Sequence, residues 1–136
     1  MNQSAIKGRH GQIEFVVEQP HTIQLSAKES VYVLSSPSLI WFLELAAIEA
    51  VKNNLDDGEV SLGAEFQLHH LAPTPLHSRV TCSARVIQAE NRSLGFQWEA
   101  YSNNILIARG FHKRHVVNLA SFCRRLNLHS STTGGD

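Results

Sequence analysis

The sequence predicts an α+β fold in which a curved antiparallel sheet wraps around one long central helix. Among the 136 residues, segment 39–51 has the apolar content of a buried helix, and only Glu44 and Glu49 interrupt it. Four long segments with alternating apolar and polar residues follow this helix. A chain of this length has enough residues for one domain with its own core. We expect that domain to comprise residues 1–126 and a disordered tail to comprise residues 127–136.

The predicted elements follow one another in a simple order. "QIEFVVEQ" and "HTIQLS" alternate in part and are predicted to be strands. The long helix is predicted to have Ser36 as its N-cap and Pro37 at its first position, and to end at "NNLDDG". Four further strands are then predicted, and "LASFCRRLN" is predicted to form a short closing helix. The strand sequences are "EVSLGAEFQLHH", "SRVTCSARVIQAE", "LGFQWEAYS" and "ILIARGFHKRHVVN".

The long helix is apolar on nearly all sides, whereas a surface helix has a single apolar stripe. Such a helix must be covered from several directions, which a strongly curved sheet and a partner subunit would achieve together. One helix between a first strand and four long strands fits the hot-dog architecture, in which the sheet encloses the helix. We therefore expect a hot-dog fold that assembles as a homodimer or a dimer of dimers.

Composition argues against several classes of function. Lys plus Arg and Asp plus Glu both number 12, so the net charge is zero and no basic patch predicts nucleic-acid binding. The longest apolar run, "LIWFL", is too short to cross a membrane, and no signal peptide is predicted. Cys82 and Cys123 form no paired motif, so we expect a reducing, cytoplasmic location. His112 and His115 would point to opposite faces of a strand, so no metal site is predicted.

Two adjacent histidines, His69 and His70, end the strand that follows the helix. Because strand side chains alternate, His70 shares its face with apolar residues and is predicted to point toward the helix. Glu44 is costly to bury without a partner, and His70 is the partner that this pattern offers. A carboxylate beside an imidazole is typical of acid/base or nucleophilic chemistry, although a core histidine and a solvated Glu44 stay alternatives. The apolar residues on the predicted face are Val60, Leu62, Ala64, Phe66 and Leu68.

The chain resembles hot-dog acyl-CoA thioesterases, specifically the fluoroacetyl-CoA thioesterase group, over residues 13–122. The resemblance rests on "SSPSLIWFLELA", "DDGEVSLGAEFQLHHLAPTP" and "GFHKRHVVNLASF", which occur in the family's order and at its spacing. In that group a Thr at the helix start, a Glu eight residues later and a His in an H-x-A-x-T-P segment are catalytic. Ser36, Glu44 and His70 fall on these three positions, and Gly63 matches a glycine that lies beside the substrate.

The sequence departs from this family in two places. Ser36 replaces the Thr, which keeps the hydroxyl and removes a methyl group. The segment "HTIQLSAKESVYVLSS" is shorter than in the fluoroacetyl enzymes and has no clear counterpart of their aromatic lid. The resemblance therefore implies hydrolysis of an acyl-CoA but not specificity for the fluoroacetyl group.

The resemblance implies that a small or medium acyl-CoA is hydrolysed to the free acid and CoA, with no cofactor beyond the CoA of the substrate. Ser36 and the helix N-terminal amides would hold the thioester carbonyl, and Glu44 and His70 would act as acid, base or nucleophile. A plain N-cap is the alternative role of Ser36. Candidates for binding the CoA phosphates are Arg109, Lys113 and Arg114, and a solvated strand edge is the alternative for each of them.

Two other functions stay open at this point. One is a non-catalytic protein that binds acyl-CoA. The other is a hot-dog hydratase or dehydratase, although the D-x-x-x-x-H signature of that family is missing.

The spacing of the candidate residues also predicts a site shared by two chains. Ser36 and Glu44 are eight residues apart, which separates them by about 12 Å along a helix. Two helices packed antiparallel across a two-fold axis would bring Ser36 of one chain beside Glu44 of the other.

Overall fold

The computed structural model describes residues 1–134, with side chains described up to residue 127. The helices and strands are α1 Gln3–Ile6, β1 His10–Val16, β2 Thr22–Gln24, β3 Tyr32–Leu34, α2 Ser36–Val51, β4 Glu59–His70, β5 Arg79–Glu90, β6 Ser93–Ser102, β7 Ile105–Asn118 and α3 Leu119–Gly134. A five-stranded antiparallel sheet has the order β1-β5-β6-β7-β4, and β2 and β3 form a separate hairpin. The long helix α2 contacts β1 and β5 most extensively. The predicted α+β fold is confirmed.

Small residues let the first strand approach the long helix closely. Ala46 and Ala50 of α2 are buried and face Gly11 of β1. A Cβ atom added at Gly11 would lie 2.3 Å from the carbonyl oxygen of Ala46, so only glycine fits at this position. Helix and strand therefore pack backbone against backbone, and the side chains of Leu39 and Leu43 fill the core at 0% exposure.

The beginning of α2 differs from the prediction by one residue. Ser35, not Ser36, is the N-cap, and its side chain accepts a hydrogen bond from the Ser38 amide at 3.2 Å. A serine cap of this kind contributes about 1 kcal/mol to stability. Ser36 is the first helical residue and Pro37 the second. The prediction of Ser36 as N-cap was wrong because either of two adjacent serines can cap a helix, and the hydroxyl of Ser36 has a tertiary partner instead.

A β-bulge in β4 changes which of its side chains face the core. The pairing of β4 with β7 shifts between Gly63 and Glu65, so Ala64 is an extra residue without a partner of its own. An extra residue inverts the alternation of side chains along a strand. The prediction for the second half of β4 is confirmed, because Leu68 packs against the core and His70 contacts α2.

The prediction for the first half of β4 was wrong. Ser61 and Gly63, and not Val60 and Leu62, are the residues that face the helix there. The bulge is the physical reason, and the side chain of Leu62 is 37% exposed. The polar and small face that results lies opposite Glu44.

The C-terminal helix α3 is longer than the closing helix predicted for 119–127, and its backbone continues to Gly134. The division into a domain of residues 1–126 and a disordered tail of 127–136 stays a prediction. Within residues 1–134, no helix combines the length and the apolar content that a membrane crossing requires.

Candidate active site

Ser36 at the start of α2 and His70 at the end of β4 form a hydrogen-bonded pair. The Ser36 Oγ and the His70 Nδ1 are 2.8 Å apart. The other ring nitrogen, His70 Nε2, is buried and has no hydrogen-bond partner among the described residues. Burial lowers the pKa of His70 below its usual value of 6.5, so the ring is neutral at pH 7. A neutral imidazole held by a hydroxyl can receive or donate a proton at its second nitrogen.

The pair lies on an open groove of about 440 Å³. The β2–β3 hairpin forms one side of this groove, and the segment after β4 forms the other. The lining residues are Ile23, Leu25, Val33, Leu34, Ser35, Ser36, Pro37, His70, Leu71, Ala72 and Pro73. Both members of the pair are therefore accessible to a small molecule that enters from solvent.

Glu44 has a different partner from the one predicted. Its Oε2 accepts a hydrogen bond from Nη1 of Arg114 at 2.7 Å, and the structure records no contact with His70. The side chain of Arg114 is 3% exposed, whereas that of Glu44 is 26% exposed. The Glu44 carboxylate is therefore paired with the buried Arg114 guanidinium and stays partly accessible to solvent. The predicted Glu44–His70 contact was wrong for a single chain, because the β4–β7 register brings Arg114, not His70, beside Glu44.

Arg114 is buried and is fixed by a network of hydrogen bonds. Its Nε and Nη2 donate to the hydroxyl and carbonyl oxygens of Ser61, both at 2.8 Å. Its Nη1 also donates to Nε2 of His112 at 3.1 Å. The planar guanidinium is therefore held at three of its nitrogens, which fixes the orientation of the Glu44 ion pair.

His112 supports this network as a neutral ring. Its Nδ1–H donates to the carbonyl oxygen of Glu65 at 2.7 Å, and the ring stacks on Trp98 with centroids 4.3 Å apart. Burial, helped by the charge of Arg114, lowers the pKa of His112 to about 4. Protonation would remove the acceptor of the Arg114 bond and place two cations in contact.

The roles of Arg114 and His112 escaped sequence analysis, although β7 carried a signal for them. Residues 108, 110, 112, 114 and 116 are all buried on one face of the strand. A histidine and an arginine on an otherwise apolar strand face require an acidic or polar partner inside the protein. Glu44 is the acidic residue that the helix offers.

Gly63 leaves space for the Glu44 carboxylate. A Cβ atom at this position would lie 2.5 Å from Glu44 Oε2 and 2.6 Å from Cζ of Phe66. Any side chain at residue 63 would displace the carboxylate or the ring. This contact explains the glycine without a substrate, and the predicted position of Gly63 beside the substrate stays a prediction.

The predicted phosphate-binding patch is not a single surface. Arg114 is buried, so its placement in that patch was wrong: the strand turns it toward the core. Lys113 pairs with Glu65 at 3.1 Å, and Arg109 is exposed opposite His69. Both lie on the outer face of the sheet, and their contact with CoA stays a prediction.

The sequence analysis predicted no metal site at the histidines of β7. Among the described side chains, no group of three His, Cys, Asp or Glu is arranged to hold a metal ion. His112 is buried and His115 exposed, so the two point to opposite faces of β7.

One chain holds the candidate catalytic residues in two separate clusters. His70 lies opposite Ala108 and Gly63 lies opposite Arg114, so the clusters are six β7 residues apart. This spacing corresponds to about 20 Å along a strand. Ser36 with His70, and Glu44 with Arg114, are therefore too far apart within a single chain to act on one thioester carbon.

We expect His112 to make the stability of the protein depend on pH. The unfolded chain takes up a proton on this residue near pH 6.5, whereas the folded chain does so only near pH 4. Lowering the pH through this window therefore favours unfolding, and above it the contribution of His112 to stability is fully present. The expected loss between pH 6.5 and 4 is about 3 kcal/mol.

Urea denaturation of the wild type and of His112→Gln at each pH measures this effect. The glutamine can bond both Arg114 and the Glu65 carbonyl without titrating, so its stability should fall less over the same window. His115→Gln is the matched control, since residue 115 is exposed on the same strand. Parallel pH profiles for the wild type and His112→Gln would contradict this expectation.

Comparison with known proteins places this architecture in a family. The model of the fluoroacetyl-CoA-specific thioesterase family matches residues 17–120. The fluoroacetyl-CoA thioesterase of Streptantibioticus cattleyicolor is 30% identical over 115 residues, which cover 80% of this chain and 83% of that protein.

Solved structures give the same result. A structure of the fluoroacetyl-CoA thioesterase superposes with a TM-score of 0.80 and 27% identity, covering 90% of this chain and 95% of that one. A variant of that enzyme in complex with acetyl-CoA matches with a TM-score of 0.80 and 27% identity, over 91% of this chain and 98% of that one. A thioesterase superfamily member from Thermus thermophilus, 22% identical, shares the fold with a TM-score of 0.85 over 96% of both chains. The predicted hot-dog fold is confirmed, and the chain belongs to the fluoroacetyl-CoA-specific thioesterase family, a family of thioester hydrolases.

Proposed function

We propose that this protein hydrolyses a small or medium acyl-CoA to a free acid and CoA, using Ser36 and His70 of one chain and Glu44 of a partner chain. The observation that carries the proposal is the Ser36–His70 hydrogen bond, which lies on an open groove at the start of α2. Family membership supports the reaction, and acetyl-CoA in a related structure supports the substrate class. Water and the protein's own side chains suffice for this chemistry, so we propose no cofactor.

The N-terminus of α2 offers the thioester oxygen one free amide and not several. Pro37 has no N–H, and the Ser38 amide already donates to Ser35. Ser36 N–H is the first-turn amide that no described hydrogen bond uses. The partial positive charge of the helix end adds to it as negative charge develops on the oxygen.

His70 and Glu44 complete the reaction in this proposal. When the Ser36 hydroxyl donates to Nδ1, the neutral ring of His70 carries its proton on Nε2 and donates it toward the thioester oxygen. Glu44 takes a proton from a water molecule whose oxygen attacks the carbonyl carbon. The C–S bond then breaks, and the CoA thiolate takes that proton from Glu44. Direct attack by Glu44, with a covalent acyl-enzyme, is the second route.

The surface around Glu44 supports a dimer. Trp41 and Ile48 lie one turn on either side of Glu44 on α2, and they are 54% and 40% exposed. Phe66 on the neighbouring edge strand β4 is 47% exposed. Contiguous exposed apolar side chains of this size mark a contact surface. An isologous dimer through this face would bring the N-terminus of α2 from one chain toward Glu44 of the other.

Release of free thiol from a panel of acyl-CoAs tests the proposed function. We expect turnover with at least one straight-chain acyl-CoA, with stoichiometric release of CoA and acid. Tight binding without thiol release would identify the protein as a non-catalytic acyl-CoA binder. Addition of water to an enoyl-CoA without thiol release would identify a hydratase.

A further inference from the structure

The groove beside Ser36 and His70 has an aliphatic lining that no charged side chain interrupts. Ile23 and Leu25 from the β2–β3 hairpin and Leu71 after β4 are 54%, 62% and 51% exposed. Exposed aliphatic side chains from separate segments that converge beside a reacting pair are unfavourable in water unless a ligand covers them. The groove therefore has the composition of a binding site for a hydrocarbon chain.

The side-chain hydroxyls of the groove are already engaged. The hydroxyl of Ser35 caps α2, and that of Ser36 bonds His70. His70 Nε2 is the remaining unpaired side-chain atom of the lining, and it faces the reacting carbonyl in the proposed function. A carboxylate or hydroxyl on the acyl chain would lose its water and gain no partner here.

The position of the groove identifies which part of the substrate it holds. The reacting carbonyl lies at the Ser36–His70 pair, so a hydrocarbon in the groove must be attached directly to that carbonyl. The pantetheine arm of CoA carries amides that need hydrogen-bond partners, which the aliphatic lining does not supply. The acyl chain is therefore the better occupant.

We propose that the β2–β3 hairpin is the specificity element of this enzyme and that it selects an unsubstituted aliphatic acyl group longer than acetyl. This inference rests on the proposed thioesterase function and names its substrate class. Ile23 pairs with Val33 across the hairpin, and Leu34 N–H donates to the Thr74 carbonyl at 2.8 Å. The hairpin is thus anchored against the segment that carries the other side of the groove.

Steady-state hydrolysis of acetyl-, butyryl-, hexanoyl- and succinyl-CoA tests the inference. The wild-type kcat/KM should rise about fourfold for each added methylene until the groove is filled. Ile23→Ser and Leu25→Ser should lower kcat/KM for hexanoyl-CoA about tenfold and leave acetyl-CoA within about twofold. Leu119→Ser is the matched control, because Leu119 is 44% exposed and follows Asn118, which pairs with Glu59 at the opposite end of β4 from His70.

Three results would overturn the inference: a kcat/KM independent of chain length, a preference for succinyl-CoA, or an equal loss on all substrates in the hairpin variants. If no acyl-CoA is hydrolysed, the proposed thioesterase function is refuted, whereas the inference about the groove is not. Calorimetric Kd values for non-hydrolysable acetyl and hexanoyl thioethers of CoA then still test the groove. Equal Kd values for the two thioethers would refute it, and tighter hexanoyl binding that Ile23→Ser abolishes would support it.

Discussion

Replacing Glu44 with glutamine should lower kcat for acyl-CoA hydrolysis by at least about 100-fold, the scale of a lost general base. The amide oxygen of glutamine can still accept the hydrogen bond of Arg114, so the buried guanidinium keeps a partner and the fold should persist. His70→Ala should cause a loss of similar size, because it removes the ring that bonds Ser36 and lines the groove. Thiol release under saturating substrate measures both effects.

Glu49→Gln is the matched control for this experiment. It makes the same substitution on the same helix, where Glu49 forms only an exposed pair with Lys52 at 2.6 Å. An exposed pair of this kind contributes little to stability. Circular dichroism should show native spectra for all three variants. Near-normal turnover of Glu44→Gln and His70→Ala would contradict the assignment of both residues.

The fold was predictable because its signals are strong and local. The nearly uninterrupted apolar sequence of α2 could only belong to a helix covered on several sides. The alternation along β5, β6 and β7 fixed their buried faces, and the turn residues between them fixed their connections. These features depend on neighbours in the sequence and need no knowledge of the partner strands.

The arrangement of the site was only partly predictable, because it depends on register. Ser36, Glu44 and His70 were identified as candidates, but the partner of Glu44 follows from the pairing of Gly63 with Arg114. That pairing includes a bulge, which the sequence does not reveal because apolar residues alternate without a break from Val60 to Leu68. The same bulge turns Ser61 toward Arg114, so the place of Ser61 in the buried network had no counterpart in the sequence pattern.

Mixing two inactive variants should restore activity to about a quarter of the wild-type value if the site is shared between chains. His70→Ala and Glu44→Gln are unfolded together in equal amounts and refolded. Random pairing makes half of the dimers heterodimers, and each of these has one site with intact Ser36, His70 and Glu44. Recovery is expected because the Ser36–His70 pair and Glu44 belong to separate clusters within one chain.

The separation of the two clusters also provides a negative control, a mixture in which activity should not be restored. Ser36 and His70 contact each other within one chain, so a mixture of Ser36→Ala and His70→Ala has no dimer with an intact pair. That mixture should stay at the residual activity of its parents, whereas Ser36→Ala mixed with Glu44→Gln should recover. Equal recovery in all three mixtures would show that Ser36 and His70 need not come from the same chain. A monomer in solution at assay concentration, or no recovery with His70→Ala and Glu44→Gln, would refute the shared site. The mixtures test the shared site directly, because α2 separates Ser36 from Glu44 of the same chain by about 12 Å along its axis.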